Sequence, residues 1–176
     1  MANYVITSAR LGFRPWKSKD LTPLLAINQD PRVMEYFPKL LDKRDTQDFI
    51  QRQQQLHSAF GYCFFAVERL DSNAFIGIIG LSNFTFDKWE GIEIGWRLAH
   101  AHWNLGFATE GAKKLLQWSK QHCSTSNIYS FTAKVNLRSE HVMKKIGMEK
   151  VREFDHPKID RNHTLSRHVL YQIANT

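Results

Sequence analysis

Long apolar runs are missing from this 176-residue chain. Nothing near 18 consecutive apolar residues occurs, so no membrane-crossing helix is expected. Cysteine is scarce: Cys63 and Cys123 are the only two, too few for a disulfide framework. Cys63 sits among Tyr62, Phe64 and Phe65, as a small buried hydrophobe would. A cytoplasmic, reducing compartment is therefore expected, and residues 1–10 lack the charged-then-apolar pattern of an export signal. No run of five like charges, internal repeat or low-complexity tract breaks the sequence. Two established nucleotide loops are absent as well. There is no Gly-Lys-Ser/Thr of a P-loop and no three-glycine dinucleotide fingerprint after a strand. His156, His163 and His168, with Asp155 beside them, match no zinc spacing, and no cysteine joins them, so no metal is expected.

What is present is ordinary for a globular protein, with 43% hydrophobic and 23% charged residues. One domain spanning 1–176 is the simplest organisation. The formal charge of +7 has two readings: a surface that attracts a phosphorylated ligand or RNA, or scattered solvated lysines and arginines. No RNA-binding aromatic motif is present, so no specific nucleic-acid partner is expected.

Patterning predicts alternating strands and helices. Residues 4–16 read as an edge-forming first strand ending near Pro15. Asp20 can cap a short helix to about Asn28, Pro31 can open a second through Tyr36, and Asp45 can cap a longer one carrying Phe49, Gln53 and Leu56 at helical spacing. Residues 62–70 and 75–82 are strands joined by a compact loop at Asp71-Ser72-Asn73. A strand at 91–98, a helix at 108–122, a strand at 128–135, a helix at 138–146 and two final strands follow. Ala108, Ala112, Leu115 and Leu116 form the apolar stripe of the first of these helices. Gly147 reads as the residue that ends the second, with Met148 as the hydrophobic contact beyond it. The whole describes an α/β (α+β) layered domain, with helices flanking a mixed, mostly antiparallel sheet.

The segment 91–116 is the most informative. A strand, a glycine-bearing turn at Asn104–Ala108 and an amphipathic helix follow one another. Such an arrangement aims unpaired backbone N–H groups and the positive end of a helix dipole at one point, a site for a phosphate group. At Gly106-Phe107-Ala108 a small residue lets the backbone approach that group closely.

That segment resembles the pyrophosphate loop of the Gcn5-related N-acetyltransferases, the GNAT family, whose pattern is Gln/Arg-x-x-Gly-x-Gly/Ala. Trp103-Asn104-Leu105-Gly106-Phe107-Ala108 matches its last glycine and alanine, while Trp103 replaces Gln or Arg. A second run, from Asn136 through Ser139, Val142 and Lys145 to Gly147-Met148, is similar to the family's Asn-x-x-Ser-x-x-Val-x-x-Lys-x-Gly-Phe/Met. Leu11–Trp16 with Asp20-Leu21, Phe154–Pro157 and His168–Tyr171 resemble the RimJ/RimL-type branch, named for enzymes that acetylate ribosomal-protein N-termini.

The resemblance implies the GNAT fold and a direct acetyl transfer from acetyl-CoA to a primary amine. The acceptor is either a protein N-terminus, as in the ribosomal alanine/serine acetyltransferases, or a small amine. A non-catalytic CoA-binding module of the same fold is the alternative, and a homodimer is expected because many such domains pair. The loop Leu105–Thr109 would take the pyrophosphate, with Trp103 and Asn104 beside it. Backbone at Leu98 and Ala99 would lie along the pantetheine arm, Leu98 N–H being placed to serve as an oxyanion donor. Asn136 would hold the arm or the helix start.

Two side chains are candidates for proton transfer. Glu93 is a candidate base, because an acid inside an apolar strand is poorly solvated and its pKa rises; the alternative is a structural carboxylate paired with Arg97. Met143 stands where the family often has an acidic tyrosine, so Ser139 is the substitute acid, although Asn136 and Ser139 are also good helix-opening residues. Asp155 and His156 fall where the family's last strands border the acceptor cleft, and solvated loop residues are the other reading.

Overall fold

The computed structural model describes residues 3–86 and 89–176. Its strands are β1 (Ile6–Thr7), β2 (Leu11–Arg14), β3 (Phe64–Arg69), β4 (Phe75–Phe86), β5 (Trp89–Leu98), β6 (Asn127–Ala133), β7 (Glu149–Asp155) and β8 (Arg167–Ala174). Among the described residues the α-helices are α1 (Leu21–Asn28), α2 (Lys43–Phe60), α3 (Phe107–His122) and α4 (Leu137–Lys145). The strands form one eight-stranded sheet in the order β1-β2-β3-β4-β5-β6-β8-β7. Every neighbouring pair is antiparallel except β5 and β6. The mixed, mostly antiparallel architecture read from the sequence is the one observed.

Pleating sorts the side chains, because successive residues of a strand face opposite ways. By register, Leu11, Phe13, Val67, Ile79, Leu81, Ile94 and Ile128 share one face, where α3 and α4 pack. Helix α3 lies close: a Cβ on Gly111 would meet Ile79 Cδ1 at 2.4 Å and Phe13 Cζ at 3.2 Å. The second face carries Phe64, Phe84, Glu93, Arg97 and Tyr129. There α1 and α2 rest over the β3–β4 end, with Phe49 6.0 Å from Trp16 and 6.3 Å from Phe64, ring centre to ring centre.

A buried ion triad locks the N-terminal strands. Arg14, 0% exposed, donates to both oxygens of Asp20 at 2.7 Å and to Glu68 Oε1 at 2.6 Å. Tyr4 donates its hydroxyl to the other Glu68 oxygen at 3.1 Å. Nothing in the sequence pattern flagged this triad, whose members are 6 and 54 residues apart.

Several local expectations are corrected. The first strand is a hairpin, not one run: Ser8 N–H donates to Leu11 O at 2.9 Å and the chain reverses between β1 and β2. Residues 31–36 form turns rather than a helix. Asp30 draws the chain back, its carbonyl accepting from Val33 and Met34 and its carboxylate from Arg32. Asp20 does not cap α1, because its carboxylate is spent on Arg14 and Lys17 N–H. Helix α2 begins at Asp42, which accepts from Asp45 N–H while Asp45 Oδ2 accepts from Asp42 N–H, a reciprocal capping box. The end of α4 is as read. Gly147 has φ +87°, its N–H reaches Lys144 O, and Met148 N–H reaches Met143 O, the Schellman pattern.

Candidate active site

The turn into α3 is shaped by left-handed backbone. Asn104 has φ +60° and Gly106 φ +81°, and Gly106 stands at the N-cap with no side chain to take the first N–H groups of the helix. Phe107, Ala108 and Thr109 open the helix there, so their amides point out of its start with the dipole behind them. Glu110, the acid of this first turn, is already engaged: it accepts from Ser8 Oγ at 2.7 Å, Arg10 N at 2.8 Å and Arg10 Nε at 2.6 Å. Arg10 lies 4.4 Å and Arg69 5.5 Å from the Phe107 ring centre, which places two guanidinium groups beside the loop. Sequence reasoning missed both arginines. They meet only because Leu11 pairs with Arg69 across β2 and β3.

Trp103 does more than pack. Its indole N–H donates to Leu98 O at 2.9 Å, tying the end of β5 to the loop, and Arg138 lies 5.0 Å from its ring. His100 packs on the same indole at 4.9 Å. His102 is half-buried with Nδ1 unpartnered; burial, then the nearby Arg69 charge, hold its pKa down. Pro31, Arg32, Glu35, His100, Trp103 and Arg138 line an open cleft of about 330 Å³ against the start of α4.

Between the loop and the sheet a gap opens. Strand β5 pairs with β6 only at Ile92–Ile128 and Glu93–Tyr129, although both strands run on. Ala99 N–H bonds across to Ile76 O, and β4 and β5 stay in register from there back to Trp89. The alternation of an antiparallel ladder therefore turns the N–H groups of Ile94, Trp96 and Leu98 toward β6; the first belongs to the last parallel rung, and those of Trp96 and Leu98 meet no strand. A row of main-chain donors lines the gap.

Glu93 sits at its closed end, on the second sheet face. A Cβ on Gly95 would come within 2.9 Å of Phe64, and one on Gly91 within 3.0 Å of Tyr129 and 3.1 Å of Phe84. Glycines thus admit aromatic rings on either side of Glu93, which stays half-buried. Poor hydration between these walls pushes its carboxyl up to about 8, against a smaller opposing pull from Lys158. Arg97 is not its partner. Four residues along a strand span roughly 13 Å, and Arg97 donates instead to Asn28 Oδ1 at 2.6 Å and lies 4.4 Å from the Phe37 ring.

The other sequence candidates separate. Asn136 caps α4, its Oδ1 accepting from Ser139 N–H at 3.2 Å and its amide donating to Thr132 Oγ1 at 2.9 Å. Ser139 is half-buried on the first turn of α4, and Met143 is in the core. His156 lies 5.1 Å from the Phe86 ring on the Glu93 face, and burial first, then the His168 and Lys158 charges, depress its pKa to about 4. Asp155 is exposed and accepts from Arg167 at 3.3 Å. The structure does not bring Asp155 and His156 to one point.

The site thus has three parts: an uncapped helix start, a parting of two strands and a poorly hydrated carboxyl. Residues 10–149 match the family described as "Acetyltransferase (GNAT) domain", and the chain belongs to that family of acyltransferases. The "Uncharacterized N-acetyltransferase YnaD" of Bacillus subtilis (strain 168) is 29% identical over 149 residues, 82% of this chain and 82% of that protein. An acetyltransferase (GNAT family) from Bacillus anthracis superposes with a TM-score of 0.80 at 24% identity, covering 97% of this chain and 98% of that one. RimL, a ribosomal L7/L12 alpha-N-protein acetyltransferase solved in complex with coenzyme A, superposes with a TM-score of 0.79 at 12% identity over 98% of each chain. At these identities the two superpositions establish the fold.

Proposed function

We propose that the chain transfers an acetyl group from acetyl-CoA directly to a primary amine, with Glu93 and Ser139 handling the protons. One observation carries the reading: β5 stops pairing with β6 at the Glu93 rung, and the segment that follows β5 leads into the uncapped start of α3. A carrier with a diphosphate, an amide-bearing arm and a thioester suits these residues. Amides of the segment Leu105–Thr109, next to Asn104, would take the diphosphate, and Arg10 and Arg69 supply positive charge there. Main chain at Trp96 and Leu98 would pair with the arm, and Ala99, whose N–H and carbonyl are taken by Ile76 O and His102 N–H, would only lie alongside it. Trp103 would hold the loop against β5, and Asn136 would fix the start of α4 beside the arm.

Bound acetyl-CoA supplies an activated acyl carbon that an unprotonated amine can attack. The chain does the rest. As a carboxylate, Glu93 takes the proton of the incoming ammonium, and a value near 8 makes it a far stronger base than an ordinary carboxylate. Leu98 N–H donates to the oxygen that gains charge. Ser139 passes its hydroxyl proton to the departing sulfur and takes up the second proton that the nitrogen sheds as the amide forms, while buried Met143 has none to give. The rings around Glu93 favour a small amine as acceptor; a protein N-terminus, the acceptor of the RimL neighbour, is the second reading. Pairing as a homodimer is part of the proposal, and light scattering tests it.

Thiol release from acetyl-CoA across an amine panel is the decisive assay. The expected result is CoA release with at least one amine, lost in Glu93→Gln and reduced in Ser139→Ala. Binding of acetyl-CoA without transfer to any amine supports the non-catalytic module instead. Turnover unchanged in both variants removes the assigned roles.

A further inference from the structure

We infer that the acceptor is a monoamine whose nitrogen sits close to a flat aromatic group. The inference rests on acetyl transfer at Glu93 and adds what the nitrogen is attached to. On the Glu93 face, α1 and α2 rest over the β3–β4 end, while α3 and α4 lie on the opposite face. Beyond β5 that face carries rings instead of a helix. Phe84 lies 4.5 Å from Trp89, 5.8 Å from Tyr129 and 5.6 Å from Phe131, and Phe86 lies 5.2 Å from Phe131. Phe84 is buried, whereas Phe86, Trp89, Tyr129 and Phe131 keep exposed surface. The rings reach the carboxyl itself, since Tyr129 is its rung partner and Phe84 covers Gly91. An acceptor nitrogen at Glu93 would therefore carry its substituents onto aromatic faces and edges, which favour another ring in stacked or edge-on contact.

Charge selects in the same direction. Among the described residues, the one other carboxylate that register puts with Glu93 on this face of β4 to β8 is Glu149, exposed on the edge strand β7 and three strands away, roughly 14 Å. Glu90 and Glu153 fall on the opposite pleat by register, and Glu153 and Asp155 are taken by Lys134, Lys150 and Arg167. The rim is cationic, with Arg152 5.3 Å from the Trp89 ring and Lys158 near enough to act on Glu93. A polyamine would set its nearer ammonium groups against these cations, with no carboxylate closer than Glu149 at the sheet edge to receive them.

The test is steady-state thiol release at fixed acetyl-CoA with phenethylamine, tryptamine, n-butylamine, spermidine and an alanine-starting peptide. Calorimetric titration of phenethylamine into the protein accompanies it. The expected result is a kcat/KM for the two arylalkylamines at least tenfold above the other three. That preference shrinks severalfold in Phe86→Ala and in Phe131→Leu, while the Kd for CoA is unchanged. Thermal melts show whether each variant folds, and the panel on the parent decides without them. Spermidine, butylamine or the peptide turning over as well or better overturns the inference and leaves acetyl transfer standing. Absence of CoA release with every amine overturns acetyl transfer itself, and the inference falls with it.

Discussion

Glu93 stands opposite Tyr129 in the last rung that joins β5 to β6. Past it the strands part, so one residue borders both the donor-lined gap and the aromatic face. That position accounts for its unusual acidity. The chain packs rings around the carboxyl and offers its charge only the weaker pull of Lys158, and the charged form has little water to stabilise it.

The first prediction concerns rate. With Glu93 titrating near 8, kcat/KM rises as pH climbs through that value. Glu93→Gln removes the inflection and lowers the rate by about 10²-fold or more, the scale of general base catalysis. Affinity for acetyl-CoA, measured by calorimetry, stays unchanged.

Stability follows the opposite course at the same residue. Its folded pKa lies above the ordinary 4.5, so the neutral form is the one the fold favours. Its contribution is complete below about 4.5 and lost as pH rises toward 8. Glu93→Gln therefore melts higher than the parent at pH 9, and the two converge at pH 4.5.

His156 works in reverse. Burial holds its folded value at about 4, below 6.5, so the aromatic cluster is intact above pH 6.5 and weakens as pH falls toward 4. His156→Phe flattens the loss of melting temperature over that window.

How much of this was legible in the chain follows from how far the signals reach. Strand and helix periods are local, and the order of elements, the Gly147 stop and the Gly106 turn were readable because each lies within a few residues. Glu93 was visible as an acid in an apolar strand. Its neutrality was not, because Phe64, Phe84 and Tyr129 arrive from three other strands. Arg10 and Arg69 were invisible for the same reason, and Arg97 found Asn28, 69 positions away, rather than the nearby acid. The helix expected at 31–36 failed because Asp30 captures the turn with its own backbone and side chain.

The loop gives a prediction on affinity. Gly106 holds φ +81°, which costs an L-residue on the order of 1–2 kcal/mol. Gly106→Ala is expected to lower the melting temperature by a few degrees and weaken CoA binding about tenfold. Arg10→Ala and Arg69→Ala weaken it severalfold at low ionic strength, and all three arginine genotypes converge in 0.5 M salt as screening grows.

The ion triad tests the frame. Removing one partner of a buried charge pair strands the other, at about 3–5 kcal/mol. Glu68→Gln should unfold at markedly lower urea than the parent, with Arg14 still held by Asp20.

Gly111 carries no side chain, yet it fixes how near α3 lies to Ile79 and Phe13. The anion cradle is the first turn of that helix, just one turn earlier. Its height over the sheet is set from beneath, by an atom that is not there. Valine at 111 would lift the cradle like a shim under a hinge and detune grip on the cofactor, while every group that touches the phosphates keeps its identity.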